Sequence, residues 1–363
     1  MRFFSVFFAV FLINHTATAA PDIQIKGKIT QVIPTSNSNN KINTNQPIKI
    51  TQPKKITLLN VQLSEHAFEV LNKRAEKIKK SPISPELLAY STATSTQLGM
   101  NQVPVLDQGE HGTCATFATT AALDAALNKG DYISQLCHLQ LGQYLENFGY
   151  NPSGWDGSLG ALVLNQIESF GIVNKAVQRE VGCGGFTEYS EVHETPTEPL
   201  SLADYHEISE PLPDEIESTS LLDVTQVFLD RTNPQRTLEL VKDALRNNDR
   251  LTFGILLFGL NAGNAGAAGQ HHQPNDTWLL TADVSSNLIL HKNYGGHAMV
   301  ITGFDDLATA VDQDGYAHQG LLTIRNSWGE HVGDNGNFYM SYDFFKLLTI
   351  EVQRIRSLKR FKI

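Results

Sequence analysis

One cysteine near the start of an apolar stretch has the chemistry of a nucleophile. Residues 108–128 read QGEHGTCATFATTAALDAALN, which places Cys114 at the first turn of a predicted helix, after a glycine-rich approach and six residues after Gln108. A helix N-terminus carries about half a positive charge, so a thiolate there is stabilised and its pKa falls. This position predicts nucleophilic catalysis. A cysteine on an apolar helix can also be a buried core residue, and partners elsewhere in the chain decide between the two.

Two later residues supply those partners. His297 opens the apolar run HAMVITGF, and Asn326 follows the run GLLTIR. A histidine can take the thiol proton and later protonate a leaving amine, while an asparagine fixes the orientation of the imidazole. The Gln108 side chain and the Cys114 backbone N–H would form an oxyanion hole, in which one donor is typically worth about 3 kcal/mol. Each residue alone also has an ordinary structural reading, as a core histidine, a turn asparagine or a surface amide.

The elements that must position these residues change character along the chain. The patterns predict helices first, from about Ser64 to Lys80, after Cys114, and over 134–148, 158–170 and 237–248. From Leu251 onward, the runs LTFGILLFG, HAMVITGF, GLLTIRNSW and NFYMSYDFF have strand length and are separated by turns. The sequence therefore predicts an α+β fold in which a helical lobe meets a sheet lobe.

The first residues have the pattern of a secretory signal. Arg2 is followed by an apolar run to Ile13 and by the small residues Ala17-Thr18-Ala19, which predicts a signal peptide over residues 1–19. The alternative is a membrane anchor, but the run is about half the length that a span needs. We expect a secreted protein, extracellular or periplasmic, with a lysosome-like compartment as a further possibility and no membrane attachment after cleavage.

Charge divides the chain into a basic leader and an acidic body. Residues 21–90 carry 11 Lys and Arg against 5 Asp and Glu, and residues 91–363 carry 16 against 33. The acidic body excludes nucleic acid as a partner, because phosphate binding needs clustered basic residues. We interpret residues 20–90 as a basic, inhibitory propeptide, with weak order to about Lys55, and residues 91–363 as the working domain. A small N-terminal subdomain that is never removed is the alternative.

The cysteine count fits an oxidising compartment. There are three cysteines, so one thiol stays free. If Cys114 is the nucleophile, Cys137 and Cys183 remain to form a disulfide, and two buried thiols are the alternative. The pair His271 and His272 could indicate a metal site or a substrate clamp, but no cysteine or carboxylate except Asp276 lies at ligand spacing, so we interpret the pair as an exposed loop. We therefore predict no metal and no cofactor.

Four separated motifs resemble the papain-like, C1-type cysteine peptidases over roughly residues 95–350. They occur in the family's order: Gln108-Gly109, Gly112-Thr113-Cys114, Gly296-His297-Ala298 and Arg325-Asn326-Ser327-Trp328-Gly329. The resemblance implies a papain-like two-lobe fold, a helical left lobe and a β-sheet or barrel right lobe with the active-site cleft between them. It also implies peptide hydrolysis through an acyl-enzyme and synthesis as an inactive precursor.

The resemblance assigns further roles. It implies that Trp328 shields the histidine–asparagine hydrogen bond from water, that Gly157 and Ser158 pair with the substrate backbone, and that Ala298 lines a pocket for a hydrophobic or aromatic side chain. The sequence departs from the family at a disulfide near the nucleophile. His111 and Trp155 stand where that family has its two cysteines, so both ends are replaced together.

The expected protein is a secreted, monomeric cysteine endopeptidase, made as a zymogen, whose partners are a protein or peptide substrate and its own propeptide. An acidic segment at about 186–220 is interpreted as a surface insertion that lengthens the separation of Cys114 and His297.

Two alternatives to the expected endopeptidase remain. One is an amidase or transferase of the same fold that acts on other amides, and the other is a binding protein that has lost activity.

Overall fold

The computed structural model describes most of the chain. It covers residues 21–33, 54–80, 94–150, 152, 154–192, 198–257, 259, 264–265, 276–287 and 293–358. The predicted signal peptide 1–19, the proline-containing linker at 81–90 and the His271–His272 pair lie outside the described residues.

The leader forms a hairpin followed by a helix. Strands β1 (Ile23–Ile33) and β2 (Lys54–Leu63) pair antiparallel, with Ile23 opposite Leu63. Helix α1 (Glu65–Lys80) then begins where its pattern predicts, because the Ser64 hydroxyl accepts a hydrogen bond from the Ala67 N–H at 3.0 Å. Residues 23–33 form one of the strands that their β-branched runs allow, so the weak order expected from Pro21 to Lys55 does not hold for them. Their β-branched residues are paired in the hairpin.

The helical lobe follows the short strand β3 (Ser95–Gln97). Nearly all of helix α2 (Cys114–Leu127) is buried, which explains why its sequence is mostly apolar on every side. Ser134 caps the helix predicted over 134–148, and Gly171 follows the helix predicted over 158–170. The helices of this lobe are α2 (Cys114–Leu127), α3 (Gln135–Asn147), α4 (Gly160–Phe170), α5 (Lys175–Val181) and α6 (Leu202–Ile208).

The sheet lobe is built on one long central strand. In the described part of the chain the order is β4-β11-β5-β8-β9-β10-β7-β6, with β2 and β3 also pairing with β8. The strands are β4 (Ile216–Leu222), β5 (Arg250–Leu257), β6 (Asn264–Ala265), β7 (Thr277–Trp278), β8 (Asn293–Val311), β9 (Ala317–Arg325), β10 (Asn337–Ser341) and β11 (Thr349–Ser357), and the helices are α7 (Pro234–Arg246), α8 (Ala282–Asn287) and α9 (Tyr342–Leu348).

Two sequence interpretations are corrected here. The segment 186–220 is not only a surface insertion: Tyr205 on α6 is fully buried, and β4, which begins at Ile216, pairs with β11. The run NFYMSYDFF is not one strand. It changes to helix at Tyr342, because the Ser341 hydroxyl accepts a hydrogen bond from the Phe344 N–H and caps the helix that follows.

The leader shares the hydrophobic core of the sheet lobe. Ile56, Leu58 and Val61 of β2 are fully buried, as is Leu71 of α1. Apolar burial stabilises by about 25 cal/mol for each Å² removed from water. The packing of these buried side chains therefore contributes more to the attachment of the leader than its exposed charges do. The leader is therefore attached mainly by its apolar face.

The two lobes meet between α2 and β8. Ala298 and Val300 of β8 belong to the same buried cluster as Cys114 and Phe117 of α2. This arrangement confirms the predicted α+β fold with two lobes. Among the described residues, no helix combines the length and the hydropathy that crossing a membrane requires.

Candidate active site

Cys114 is the first residue of α2 and is buried between the lobes. Its thiol accepts backbone N–H hydrogen bonds from Ala298 and Ala115, which lower its pKa. Burial acts in the opposite direction and is the larger effect, raising the pKa of Cys114 to about 11. The expectation of a lowered thiol pKa is therefore wrong for this leader-covered form. The loss of water outweighs the helix N-terminus.

His297 on β8 is oriented by Asn326. The imidazole Nε2 lies 2.9 Å from Asn326 Oδ1, and the Ser327 backbone N–H donates to the same Oδ1 at 2.8 Å. Because a backbone N–H needs an acceptor, this atom is the amide oxygen, and Nε2 carries the hydrogen. Nδ1 is buried and has no hydrogen-bond partner among the described residues. Nδ1 is therefore the imidazole nitrogen that can accept a proton.

The imidazole and the thiol are both uncharged in this form. Burial lowers the pKa of His297 to about 4, and the hydrogen bond with Asn326 partly opposes that effect. At pH 7 the leader-covered site therefore holds a neutral imidazole and, at Cys114, a neutral thiol.

Trp328 covers the histidine–asparagine pair. Its ring stacks on the His297 imidazole with centroids 4.7 Å apart and an angle of 23° between the planes. Phe338 and Trp278 pack against the tryptophan in turn. An apolar cover excludes water, which strengthens the hydrogen bond beneath it. Trp328 therefore lies beside the hydrogen bond between His297 and Asn326, which is the position that the sequence resemblance implies for it.

Gln108 is fully buried and its side-chain amide is held at both ends. Its Oε1 accepts a hydrogen bond from the Ser327 hydroxyl at 2.8 Å, and its Nε2 donates to the His111 carbonyl at 2.8 Å. An amide nitrogen carries two hydrogens, so one further hydrogen remains to be donated. Ser327 was part of the recognised motif, but its role as a support for Gln108 was not foreseen.

The three predicted substrate-contact residues lie around this centre. Ala298 packs near Cys114, and Ser158 is buried after Gly157. Gly157 has φ +128°, which L side chains rarely adopt. The turn that contains Gly157 touches residues 108–113, the nucleophile loop, because the Gly112 N–H donates to the Trp155 carbonyl at 2.9 Å.

The remaining two cysteines are joined. Cys137 on α3 and Cys183 form a disulfide, with Cα atoms 5.1 Å apart, and Cys114 is the free thiol. The bond ties α3 to the segment that follows α5. Among the described residues, no group of His, Cys, Asp or Glu side chains has the arrangement of a metal site.

The leader lies across this centre as an added strand. Leu59 pairs in antiparallel register with Gly296, the residue before His297, while β5 occupies the other side of β8 at the same position. The Leu59 side chain also packs against Gly157 of the helical lobe. At the other end of β2, the Lys54 ammonium forms an ion pair with Asp107, next to Gln108.

One residue from the predicted insertion was missed altogether. The Tyr189 hydroxyl donates to the Gln108 backbone carbonyl at 2.7 Å, and its ring stacks on Trp155. No local pattern marked it, because it lies in a polar, acidic stretch without periodicity. A long-range contact of this kind has no signal in one sequence.

The comparisons with known proteins agree with this picture of the sheet lobe. The model of the Peptidase C1-like family matches residues 239–356, a stretch that includes His297, Asn326 and Trp328. No curated protein matches the chain.

Several solved structures are similar at low identity. Xylellain, a cysteine protease from Xylella fastidiosa, is 16% identical with a TM-score of 0.43, over 76% of this chain and 90% of that chain. Procathepsin L 3 of the Tenebrio molitor larval midgut is 16% identical with a TM-score of 0.43, over 74% and 71%. The proform of Amb a 11 from ragweed is 16% identical with a TM-score of 0.42, over 79% and 74%.

The two-lobed α+β fold and the C1-like match together define a papain-like protein with a cysteine at the junction of its lobes. Over residues 239–356 the chain matches the Peptidase C1-like family, and this match agrees with the papain-like, cysteine-type peptidase that the four sequence motifs indicate.

Proposed function

We propose that the chain is a secreted cysteine endopeptidase, made as an inactive precursor, in which Cys114, His297 and Asn326 carry the reaction. One observation carries the proposal. The His297 imidazole is fixed through Nε2 by Asn326 and covered by Trp328, and its Nδ1 has no hydrogen-bond partner in the part of the chain that the structure describes. The next residue of the same strand, Ala298, donates its backbone N–H to the Cys114 thiol.

The reaction follows from these positions. His297 Nδ1 takes the proton of Cys114, and the thiolate attacks the scissile carbonyl carbon to form a tetrahedral intermediate. The second N–H of the Gln108 amide and the Cys114 backbone N–H stabilise the oxyanion. The imidazolium then protonates the leaving amine, the C–N bond breaks, and water attacks the thioester by the reverse sequence to release the acid and restore the thiol.

The leader supports synthesis as a zymogen. Its strand β2 occupies the edge of β8 beside His297, where an extended substrate would pair by strand addition. Leu59 fills the space between Gly157 and Gly296, which belong to different lobes. Substrate and leader compete for the same edge, so residues 20–90 act as an intramolecular inhibitor.

The same contacts favour cleavage within chains. The leader strand touches Asp107 and Trp328 through Lys54 and reaches Gly157 and Gly296 through Leu59. A cleft that accommodates an extended chain over this length does not require a chain end. The signal-like residues 1–19 and the disulfide support export.

Incubation of the purified precursor with a thiol reagent over a range of pH tests the proposal. The wild type should cut itself between the leader and the body and then hydrolyse peptides, while Cys114→Ala should do neither. A precursor with the same peptide turnover as the trimmed form would contradict the inhibitory role. Turnover by Cys114→Ala would contradict the catalytic one.

A further inference from the structure

We propose that Tyr189 is a positioning residue for the oxyanion site, an inference that rests on the function proposed above. Its hydroxyl is hydrogen-bonded to two residues of the nucleophile loop. It donates to the Gln108 carbonyl at 2.7 Å, and its oxygen lies 3.0 Å from Thr113 Oγ1. Gln108 bears one proposed oxyanion donor, and Thr113 forms the peptide bond whose N–H is the other donor, that of Cys114.

The Tyr189 ring is locked by three aromatic neighbours. It is parallel to Trp155 within 2°, with centroids 5.8 Å apart, and it meets Phe117 and His111 edge-on at 5.0 and 5.9 Å. Phe117 lies one turn after Cys114 on α2. Burial raises the pKa of the Tyr189 hydroxyl, so it stays protonated and remains a donor. The ring packing thereby fixes the hydroxyl against the loop.

This packing stands where the resembling family has a disulfide. His111 and Trp155 replace that family's two cysteines, and their rings meet edge-on with centroids 5.0 Å apart. Aromatic pairs contribute about 0.5–1.5 kcal/mol beyond their buried area, and they permit adjustments that a covalent bond does not. Tyr189 adds two hydrogen bonds to the nucleophile loop, while the side chains of His111 and Trp155 form theirs with the Ser190 carbonyl and the Gln140 side chain. The cluster of His111, Trp155 and Tyr189 therefore serves as a non-covalent brace.

The brace is tied to the rest of the helical lobe through the segment 183–192. At one end, Cys183 is held by the disulfide, and its N–H donates to the Phe186 carbonyl at 2.8 Å. At the other end, the Glu191 carbonyl accepts the Glu110 N–H at 2.8 Å. The segment thus connects α3 to the nucleophile loop, and Tyr189 lies between its two attachments.

Tyr189→Phe tests the inference, because it keeps the ring packing and removes the hydroxyl. Removing one oxyanion donor typically costs 10²–10³ in kcat, so loosening the donors should cost about tenfold. We expect kcat of the trimmed enzyme to fall by about that factor, with KM and the rate of Cys114 alkylation by iodoacetamide within about twofold of wild type, since alkylation forms no oxyanion. Unchanged kcat, or an equal fall in alkylation, would overturn the proposal.

Tyr205→Phe is the matched control. Tyr205 is also a buried tyrosine of the helical lobe, and its hydroxyl lies 3.1 Å from the Gly171 carbonyl and 3.2 Å from His138 Nδ1, away from the nucleophile loop. It should leave kcat within about twofold. An equal loss in both variants would mean a general packing defect and would overturn the positioning role.

Amide hydrogen exchange of residues 107–117 separates this inference from the proposed function. Tyr189→Phe should exchange faster over that segment than wild type, and Tyr205→Phe should not. The measurement needs no peptide turnover. If wild type fails to cleave peptides but exchange still accelerates in Tyr189→Phe, the proposed function fails and the brace stands. Unchanged exchange overturns the brace.

Discussion

Leu59 of the leader lies against Gly157 of the helical lobe so closely that a Cβ on this glycine would come within 2.5 Å of the leucine Cδ1. The same leucine is paired in register with Gly296, one residue before His297. A single apolar side chain thus fills the space between the two walls of the site. We therefore expect leader binding and substrate access to be coupled through Leu59.

Leu59→Ala should weaken inhibition in the precursor. Truncating a buried leucine typically costs 2–5 kcal/mol, and about 1.4 kcal/mol corresponds to tenfold in an equilibrium constant. We expect the initial peptide turnover of uncut precursor to rise at least about tenfold. Gel analysis of the same samples confirms that the chain is still intact.

Leu63→Ala is the control for that variant. Leu63 is on the same strand and is equally buried, at 4% exposure for each leucine, but it pairs with Ile23 and not with β8. It should leave turnover of the precursor near the wild-type value. Equal activation by both substitutions would show that the leader is loosened globally and that Leu59 has no special position.

Two ion pairs that join described leader residues to the body, Lys54–Asp107 and Lys28–Asp156, should differ in their effect on inhibition. Lys54 is 20% exposed in its pair with Asp107 and also donates to the Trp328 carbonyl, while Lys28 is 54% exposed in its pair with Asp156. Exposed pairs contribute about 0–1 kcal/mol and are screened by salt. Turnover of the precursor should rise in Lys54→Ala and stay within about twofold in Lys28→Ala. The reverse order would contradict the position of the leader across the site.

Alkylation of Cys114 should depend on pH differently before and after leader removal. In the precursor, burial raises the thiol pKa to about 11, so the thiolate fraction and the iodoacetamide rate should be low at pH 7 and should increase as pH approaches that value. Removing the leader exposes the site to water and allows His297 to become protonated. The rate of Cys114 alkylation at pH 6–7 should therefore rise by about tenfold or more. Cys114→Ser provides the blank. Identical profiles for the two forms would contradict this account.

Much of the site could be predicted because its residues lie in local motifs. Cys114 with its glycine approach, His297 at the start of a strand and Asn326 before a tryptophan are each marked by their neighbours in sequence. The helix that begins at Cys114, the strand that contains His297 and the strand that ends before Asn326 follow from apolar runs of helix or strand length. Patterns of this kind are short-range, and one sequence contains them.

What the sequence missed depends on long-range contacts. Nothing near Leu59 shows that it pairs with Gly296, and nothing near Tyr189 shows that its hydroxyl reaches Gln108. The thiol pKa was predicted in the wrong direction for the same reason. The helix N-terminus is a local property of Cys114, whereas the burial that outweighs it comes from elements distant in the chain.

Glu351 offers a test of how the lobes are joined. Its buried carboxylate, on β11, accepts the N–H groups of Gly160 at 2.7 Å and Ala161 at 3.2 Å, at the start of α4 in the other lobe. Glu351→Ala leaves these donors without the acceptor, so urea unfolding should show a loss of about 3 kcal/mol, with Glu351→Gln intermediate. Glu217 is exposed and serves as the control: Glu217→Ala should change the free energy of unfolding by less than about 0.5 kcal/mol.

The difference in stability between wild type and Glu351→Gln should depend on pH with a definite sign. Burial raises the pKa of the Glu351 carboxyl above its ordinary value of 4.5, so the folded protein holds this proton more tightly than the unfolded chain. The contribution of Glu351 is therefore complete below the ordinary pKa and decreases as pH rises. Relative to Glu351→Gln, wild type should lose stability as pH rises above the ordinary carboxyl pKa of 4.5. A gain over this range would contradict the assignment.

The central claim is that Cys114 is the nucleophile that His297 and Asn326 serve, and trapping the covalent intermediate tests it most directly. Trimmed enzyme turning over a peptide ester is quenched in acid and analysed by mass spectrometry of its fragments. The account predicts an acyl group on Cys114, no adduct in Cys114→Ala, and a much slower appearance of the adduct in His297→Ala. Ester turnover in Cys114→Ala, or an acyl group on any other residue, would contradict it.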